Sequence, residues 1–437
     1  AALTPRNTNA LAVEGGAALH KGESKVAAGP RGGAATTDDD APALTAAETD
    51  DLLSAAAASL TFPAQTAAEQ GNVLERGNET TGRLTSSSSS SSGASSSRGA
   101  GLRLSQKKIV PHLDISDNPS EVFVAKFSPD GALLAAGCGD GAVRVFDAET
   151  GRLNYNLNIA AHALPTTALC FRPITEASRT RNVLISANAD GAVQHWHITS
   201  GRCLHEINDP ENPLFTVNYS ADGKKFATAG KDFAVRVYDE ATKTLVSKME
   251  GGYHAITKGH SNRVFSLKFD KNDDNILVSG GWDNTVQIWD LRVERSVRSF
   301  YGPHVCGDAV DICDGTILTG SYRNNDQLQT WDFGSGQLIK TIQWGSAASA
   351  SGAKGQACQL YAASFSPGGK LIGAGGSGVN EAKIFDRTCG DALVGTVAGL
   401  SRGVYSLDFN SDGSKFVVAG GDCTVRLFSV QDRKSKA

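Results

Sequence analysis

The residues best suited to chemistry are a histidine, a serine, an aspartate and a tryptophan that occur together twice. The two sets are His162, Ser186, Asp190 and Trp196, and His260, Ser279, Asp283 and Trp289. Hydrolases that activate a serine combine it with a histidine and an aspartate. Each set, however, separates the serine from the tryptophan by ten residues, and hydrolysis needs no indole donor. The pattern therefore favours a repeated structural network over a catalytic triad.

Other sequence patterns for catalysis or cofactor binding are weak. The glycine-rich GAGGSG at 373–378 lies in a β-rich stretch with no following helix, which argues against a dinucleotide site. The chain has no phosphate-loop, zinc-protease or paired-carboxylate pattern. We therefore expect no enzyme, no catalytic residue, no cofactor and no small-molecule substrate.

The eight cysteines are scattered along the chain. They are Cys138, Cys170, Cys203, Cys306, Cys313, Cys358, Cys389 and Cys423. No two of them form a CxxC pair, so their spacing fits neither a zinc site nor a disulfide framework. We expect no metal and predict small buried thiols in a reducing compartment.

Charge and hydropathy exclude further classes of function. The 437 residues include 42 basic and 46 acidic side chains, a net charge of −4 that gives no footprint for DNA or an anionic membrane. No stretch of about 18 apolar residues exists, so we expect no transmembrane helix. No secretory signal is evident. We expect a cytoplasmic protein, with a cytoskeletal or nuclear location as the alternatives, that is not secreted and contacts no nucleic acid.

A segment of different composition precedes the part of the chain that must position these residues. Residues 1–105 are rich in Ala, Gly, Ser and Thr, include the serine run 86–92 and contain one aromatic residue, Phe62. Such a segment cannot bury enough apolar surface to offset chain entropy. The composition predicts a disordered arm over 1–105, and residues 433–437 form a short basic tail.

From residue 106 to residue 432 the chain repeats one unit seven times. Each unit ends in an aromatic residue, usually followed by Asp, at Phe146, Trp196, Tyr238, Trp289, Trp331, Phe385 and Phe428. Within a unit, short alternating strands are separated by Gly, Asp and Asn turns such as SPDG at 128–131. Four strands in each of seven units predict an all-β, seven-bladed propeller.

The Trp-Asp endings, the Gly259-His260 pair and the interior aspartates carry a resemblance to the WD-repeat family. The resemblance covers 107–432 and implies a propeller in which the His, Ser, Asp and Trp sets are a structural hydrogen-bond relay. The blades with Asp140, Asp232 and Asp422 have Asn118, Pro210 and Leu400 where the histidine would fall. We expect hydrophobic packing to stabilise those three blades, and a strand from about 108 to 115 to complete the last blade.

Long turns predict a partner-binding surface on one face of the ring. The resemblance implies that the turns between second and third strands share a face with the approaches to the first strands. In this sequence those turns are extended at 321–329 and 376–382, and the approach 251–263 is long. Tyr, Trp and Arg are the usual anchors of protein interfaces. The candidate rim residues are Tyr253, His254, Arg263, Trp282, Tyr322 and Arg323.

A second motif has a meaning within the family. Residues 277–292, LVSGGWDNTVQIWDLR, resemble the box by which some WD-repeat proteins bind the adaptor of cullin–RING ubiquitin ligases. Its key residues would be Asp283, Asp290 and Arg292. The alternative is that Arg292 pairs with an aspartate of its own or a neighbouring blade.

These observations favour a non-catalytic protein–protein interaction scaffold that binds other proteins, within a multi-subunit complex, through its rim loops. One alternative is a substrate receptor of a cullin–RING ligase. Another is a fixed subunit of a large cytoskeletal, ciliary or ribonucleoprotein complex.

Overall fold

The structure, a computed structural model, describes residues 105–158, 164–175, 182–251, 259–345 and 357–433. Within these ranges the strands form seven four-stranded antiparallel sheets. The first strands of neighbouring sheets contact one another in cyclic order, and the first strand of the last sheet contacts that of the first sheet. The all-β, seven-bladed propeller is therefore confirmed. The predicted arm, apart from Ser105, and residues 434–437 lie outside the described residues.

The first three blades follow the predicted order of four consecutive strands. Blade 1 comprises β2 (Val122–Phe127), β3 (Leu133–Cys138), β4 (Val143–Asp147) and β5 (Leu153–Leu157). Blade 2 comprises β6 (Thr166–Phe171), β7 (Val183–Asn188), β8 (Ala192–His197) and β9 (Arg202–Asn208). Blade 3 comprises β10 (Leu214–Tyr219), β11 (Lys225–Gly230), β12 (Val235–Asp239) and β13 (Leu245–Met249).

Blades 4 to 6 repeat this order. Blade 4 comprises β14 (Val264–Phe269), β15 (Ile276–Gly281), β16 (Thr285–Asp290) and β17 (Arg295–Tyr301). Blade 5 comprises β18 (Val310–Cys313), β19 (Thr316–Gly320), β20 (Leu328–Asp332) and β21 (Leu338–Ile342). Blade 6 comprises β22 (Gln359–Phe365), β23 (Leu371–Ser377), β24 (Ala382–Asp386) and β25 (Ala392–Val397).

Blade 7 closes the ring with a strand from the other end of the propeller. It comprises β26 (Val404–Phe409), β27 (Lys415–Gly420) and β28 (Val425–Asp432), and its outer strand is β1 (Lys107–Ile115). Antiparallel pairing joins Lys107 to Asp432 and Ile115 to Val425. The predicted closure is confirmed, and it covers the edge that β28 would otherwise expose.

Burial differs systematically across each blade, and the sequence explains why. Second strands are buried almost throughout and consist of small and aliphatic residues, as in β27 (KFVVAG). A side chain at Gly137 would lie 2.7 Å from Val124 and 2.8 Å from Thr166, so only glycine fits between these blades. Outer strands such as β21 are mostly exposed. The core therefore lies in the inner three strands of each blade.

The described residues contain no helix long and apolar enough to cross a membrane. The short 3-10 turns Ile198–Ser200 and Arg387–Cys389 connect third strands to fourth strands.

Candidate interaction face

Blade 4 contains the complete four-residue set as one hydrogen-bonded relay. His260 Nδ1 lies 2.8 Å from Asp283 Oδ2, and His260 Nε2 lies 2.7 Å from Ser279 Oγ. The indole N–H of Trp289 donates to the same Ser279 Oγ at 2.7 Å. Since a carboxylate only accepts, the imidazole proton belongs on Nδ1, and Nε2 accepts from the serine hydroxyl.

The relay geometry is unsuited to nucleophilic catalysis. Ser279 and Trp289 are fully buried, and the Ser279 hydroxyl already donates once and accepts once. Burial acts to raise the pKa of Asp283, but hydrogen bonds from His260, Ser261 and Thr285 outweigh it and hold that pKa below its usual range. The carboxylate is thus a fixed acceptor that ties the approach to β14 to the turn after β15.

Blade 2 shows part of the same relay. Trp196 Nε1 donates to Ser186 Oγ at 3.0 Å, and Asp190 Oδ1 accepts from the backbone N–H of Ala192 at 2.9 Å. His162 lies outside the described residues.

The blades that have Asn118, Pro210 and Leu400 in place of the histidine show the expected hydrophobic packing against neighbouring blades and, in addition, an ion pair that was not predicted. An arginine four residues after each aspartate binds it, in the pairs Asp140–Arg144, Asp232–Arg236 and Asp422–Arg426. The relay blades have Gln194 and Gln287 at that position. The side chains of Arg144 and Arg236 are largely buried, whereas those of Asp140 and Asp232 are about one-third exposed. A buried guanidinium needs a hydrogen-bonding or anionic partner, and the turn aspartate supplies it in the blades where the histidine is missing.

The candidate rim residue Trp282 is half-buried, and part of its side chain is packed against neighbouring residues. Its ring stacks on Phe265 at 5.2 Å and on His304 at 6.2 Å, and the guanidinium of Arg263 lies 4.9 Å from its centroid. Its buried indole N–H has no hydrogen-bond partner in the described part of the chain. Trp282 therefore supports the rim, and both Trp282 and Arg263 remain partly exposed there.

Asn284 connects this stack to blade 5. Its Oδ1 lies 2.8 Å from His304 Nδ1 and accepts from Arg323 Nη2 at 2.9 Å. Asn284 has a φ of 61°, in the left-handed region that asparagine tolerates better than most residues. Burial and the positive charge of Arg323 lower the pKa of His304, so the imidazole is neutral at pH 7. Arg323 is therefore held by the Asn284 side chain, whose other partner, His304, is uncharged.

Tyr322, the neighbouring rim residue, extends the aromatic packing towards blades 6 and 7. Its ring stacks on Tyr361 at 5.0 Å, and Tyr361 meets Tyr405 edge-on at 5.6 Å. Burial raises the pKa of Tyr361 well above its usual range. These three phenols therefore act as structural contacts that join blades 5, 6 and 7.

The loop that contains Tyr253 and His254 lies outside the described residues, but its two ends are described. A side chain on Gly259 would lie 2.5 Å from Gly251 Cα, so the chain leaves and returns at one point beside His260. Of the six candidate rim residues, the structure therefore brings Arg263, Trp282, Tyr322 and Arg323 to one region. We call the surface around Arg263, Trp282, Asn284, Tyr322 and Arg323 the upper face.

The three residues of the candidate ligase box have partners within blade 4. Asp283 is engaged by His260, and its side chain is 3% exposed. Arg292 forms ion pairs with Asp273 and Asp290, and Asp290 also accepts from the Arg292 backbone N–H at 2.9 Å. These contacts match the structural alternative, in which Arg292 pairs with aspartates of its own blade.

A charge cluster in the central channel was not predicted. Asp308 Oδ2 accepts from Lys126 Nζ at 2.8 Å, and Asp308 Oδ1 lies 2.8 Å from Lys268 Nζ. Lys126 also lies 3.6 Å from Asp408. Burial acts to raise the pKa of Asp308, but the two lysines lower it far below its usual range. The bridge connects blades 1, 4, 5 and 7 through the centre of the ring.

The described residues contain no group of three or more His, Cys, Asp and Glu side chains that could hold a metal ion. All eight cysteines are free thiols, of which Cys138, Cys306, Cys313 and Cys358 are buried and the others partly buried. The prediction of buried thiols is therefore wrong for half of them. Burial raises the pKa of Cys306 and of Cys358 to about 12, which makes both thiols unreactive.

Comparison with known proteins gives matches along the propeller. The family described as "WD domain, G-beta repeat" matches 201–239, 252–290 and 392–429, and "Anaphase-promoting complex subunit 4 WD40 domain" matches 100–173.

Similar proteins include a "Ribosome biogenesis protein WDR12 homolog" of Drosophila erecta, 24% identical over 327 residues, which are 72% of this chain and 73% of that protein. "Periodic tryptophan protein 2" of Arabidopsis thaliana is 28% identical over 224 residues, 51% of this chain and 23% of that protein. Its Dictyostelium discoideum homologue is 26% identical over 172 residues, 39% of this chain and 17% of that protein.

Proposed function

Because the chain is a seven-bladed propeller of the WD-repeat family, we propose that it is a non-catalytic scaffold that holds protein partners together within a ribonucleoprotein assembly. The observation that carries this proposal is the similarity to ribosome biogenesis proteins over 327 residues. That stretch is long enough to span the whole ring rather than a single repeat. A role in ribosome assembly is therefore the most economical function for this chain.

The chemistry of the molecule supports a binding role over a catalytic one. The only Ser, His and Asp relay resolved in full within the described residues is buried and fully hydrogen-bonded in blade 4. The upper face instead combines rigid aromatic packing with two arginines, the residue types that anchor protein interfaces. Contact with RNA, in this proposal, is made by the partners of the ring.

The proposed function also changes the expected location. Relatives named for ribosome biogenesis give no support to the cytoplasmic site expected from composition. We propose a nuclear site of action, which the sequence left as an alternative. Imaging of the tagged chain with a nucleolar marker tests this, and an even cytoplasmic distribution would contradict it.

The experiment that tests the proposed function is sedimentation of the tagged full chain from its source cell. A scaffold of a ribonucleoprotein assembly should sediment with large particles and be released when RNase digests them. Recovery of the chain as a free monomer under gentle extraction, with and without RNase, would contradict the proposal. The ligase alternative instead predicts a cullin adaptor whose recovery is lost in Arg292→Ala.

A further inference from the structure

Two guanidinium groups of the upper face, those of Arg263 and Arg323, have no ion-pair partner among the described residues. Within the described part of the chain, Arg263 contacts the Trp282 ring and Arg323 donates to the neutral side chain of Asn284, and neither lies within ion-pair distance of a carboxylate. The third-strand arginines of blades 1, 3 and 7, which are Arg144, Arg236 and Arg426, are in contrast paired with aspartates. Arg263 and Arg323 are thus chemically different from their counterparts.

Both arginines are held in place before any ligand binds. The indole fixes Arg263, and the Phe265–Trp282–His304 stack fixes the indole. Asn284 binds His304 and Arg323 with the same oxygen, so the two arginines belong to one connected set of contacts. A guanidinium has five N–H donors, and these contacts use few of them. Preorganised donors reduce the entropy that binding would otherwise cost.

We infer that Arg263 and Arg323 form a binding site for the carboxylates of an acidic segment of a partner protein. This inference rests on the proposed function, whose scaffold role it deepens by naming the chemistry of one partner. Guanidinium binds carboxylate through paired, charge-assisted hydrogen bonds, and no carboxylate of the described chain occupies either group.

An acidic protein segment fits this site better than RNA does. Single-stranded RNA is bound by stacking bases on free aromatic faces within a basic groove. Here Phe265, His304 and Arg263 already lie against the indole of Trp282, and Tyr322 is stacked on Tyr361. The chain as a whole carries a net charge of −4, so it provides no extended basic field.

The test is fluorescence anisotropy of the full chain with three probes. The probes are a fluorescein-labelled peptide that alternates glutamate and serine, the same peptide with glutamine in place of glutamate, and an oligouridine of the same net charge. We expect the glutamate peptide to bind at least about tenfold more tightly than the glutamine peptide, a difference of about 1.4 kcal/mol. Added salt should weaken this binding.

The variant pair that isolates the site is R263Q with R323Q. The matched control is R202Q with R295Q, which removes the same charge from exposed outer-strand arginines of β9 and β17. The site variant should lose about tenfold in affinity for the glutamate peptide and melt at the same temperature as the control. Equal affinities in the two variants, or binding of oligouridine in place of the glutamate peptide, would overturn the inference.

The outcomes also separate this inference from the proposed function. If the chain sediments with large particles but does not bind the glutamate peptide, the acidic-segment site is wrong and the scaffold role stands. If the peptide binds through both arginines but the chain is recovered free, the site stands and the role in a ribonucleoprotein assembly is wrong.

Discussion

At the scale of single residues, the polar relay of blade 4 shows how a buried network stabilises a blade. Ser279 accepts from Trp289 and donates to His260, so one hydroxyl satisfies two buried groups. Removing this hydroxyl leaves the Trp289 indole N–H and His260 Nε2 without their hydrogen bonds, and each such loss costs about 1–3 kcal/mol.

We therefore predict that Ser279→Ala lowers the free energy of unfolding by about 2–4 kcal/mol. Denaturant titration followed by tryptophan fluorescence measures this change. The control is Ser261→Ala, an exposed serine beside the same relay whose backbone N–H alone contacts Asp283. A Ser279→Ala variant as stable as the control would show that the relay contributes nothing to stability.

A second buried cluster makes stability depend on pH. The Glu240 carboxylate accepts a hydrogen bond from the Tyr219 hydroxyl at 3.1 Å and lies 2.6 Å from Lys243 Nζ. It also lies 3.4 Å from Arg172 Nη1 and 3.4 Å from His195 Nε2. Burial acts to raise the pKa of Glu240, but hydrogen bonds from His195 and Lys243 and their charges lower it to about 2. The folded chain thus holds this carboxylate ionised far below its usual pKa.

Because the folded pKa of Glu240 is depressed, its contribution is fully present above pH 4.5, the unfolded value, and is lost as the pH falls towards 2. We predict that Glu240→Gln flattens the fall in unfolding free energy between about pH 5 and pH 3. Thermal melts across that range measure it. Glu294→Gln, at an exposed glutamate, is the control. Identical pH profiles of both variants and the wild type would contradict this account.

At the scale of elements, the aspartate in the turn between second and third strands is bound in one of two ways, depending on the blade. Three blades bind the turn aspartate with an arginine on the third strand, and blade 4 binds it with a histidine from the preceding loop. The signal for this was present in the sequence, since the arginine follows its aspartate by four residues only where the histidine is missing. This exchange of histidine for arginine is visible only when the blades are aligned with one another.

We predict that Arg236→Ala destabilises the protein by about 1–3 kcal/mol, because it removes the packing of a buried side chain and the one cation that binds both Asp232 and Asp209. The adjacent, exposed Lys231→Ala should change stability by at most about 0.5 kcal/mol. The midpoints of urea unfolding compare the two. Equal effects would mean that the ion pair does not stabilise blade 3.

How much could be predicted at this scale depended on the range of the contacts. Strand order and the contacts of Ser186 and Trp196 follow from local spacing, because hydrogen bonds within a blade join residues close in sequence. In the channel bridge, Asp308 binds Lys126, which is 182 positions away in the sequence, so no local spacing predicts the contact. Trp282 was predicted to be exposed since its turn lies at the rim, and the structure shows it half-buried, because it packs against Phe265 and Arg263.

At the scale of the whole molecule, closure by β1 holds the ring together. Ser105 Oγ donates to Asp386 at 2.9 Å and accepts from the backbone N–H of Lys107, which fixes the start of the strand. Ile109 packs so closely on blade 6 that a side chain at Gly395 would lie 2.6 Å from it. The first strand therefore joins blade 7 to blade 6 as well as closing the ring.

We predict that a chain lacking residues 1–104 melts at the temperature of the full chain. A chain lacking 1–115 should lose roughly 5 kcal/mol or become insoluble, because it exposes the β28 edge and the apolar contacts of Ile109, Leu113 and Ile115. Differential scanning calorimetry and light scattering measure both effects. An equally stable shorter chain would contradict closure by β1.

The central claim, that this ring assembles proteins of a ribonucleoprotein particle, is tested most directly by quantitative mass spectrometry of proteins recovered with the tagged full chain. The account predicts enrichment of ribosome-assembly proteins. It also predicts that one or more of them are lost from the R263Q and R323Q double variant and retained by the R202Q and R295Q control. Recovery of no such protein, or of a cullin adaptor in their place, would contradict it.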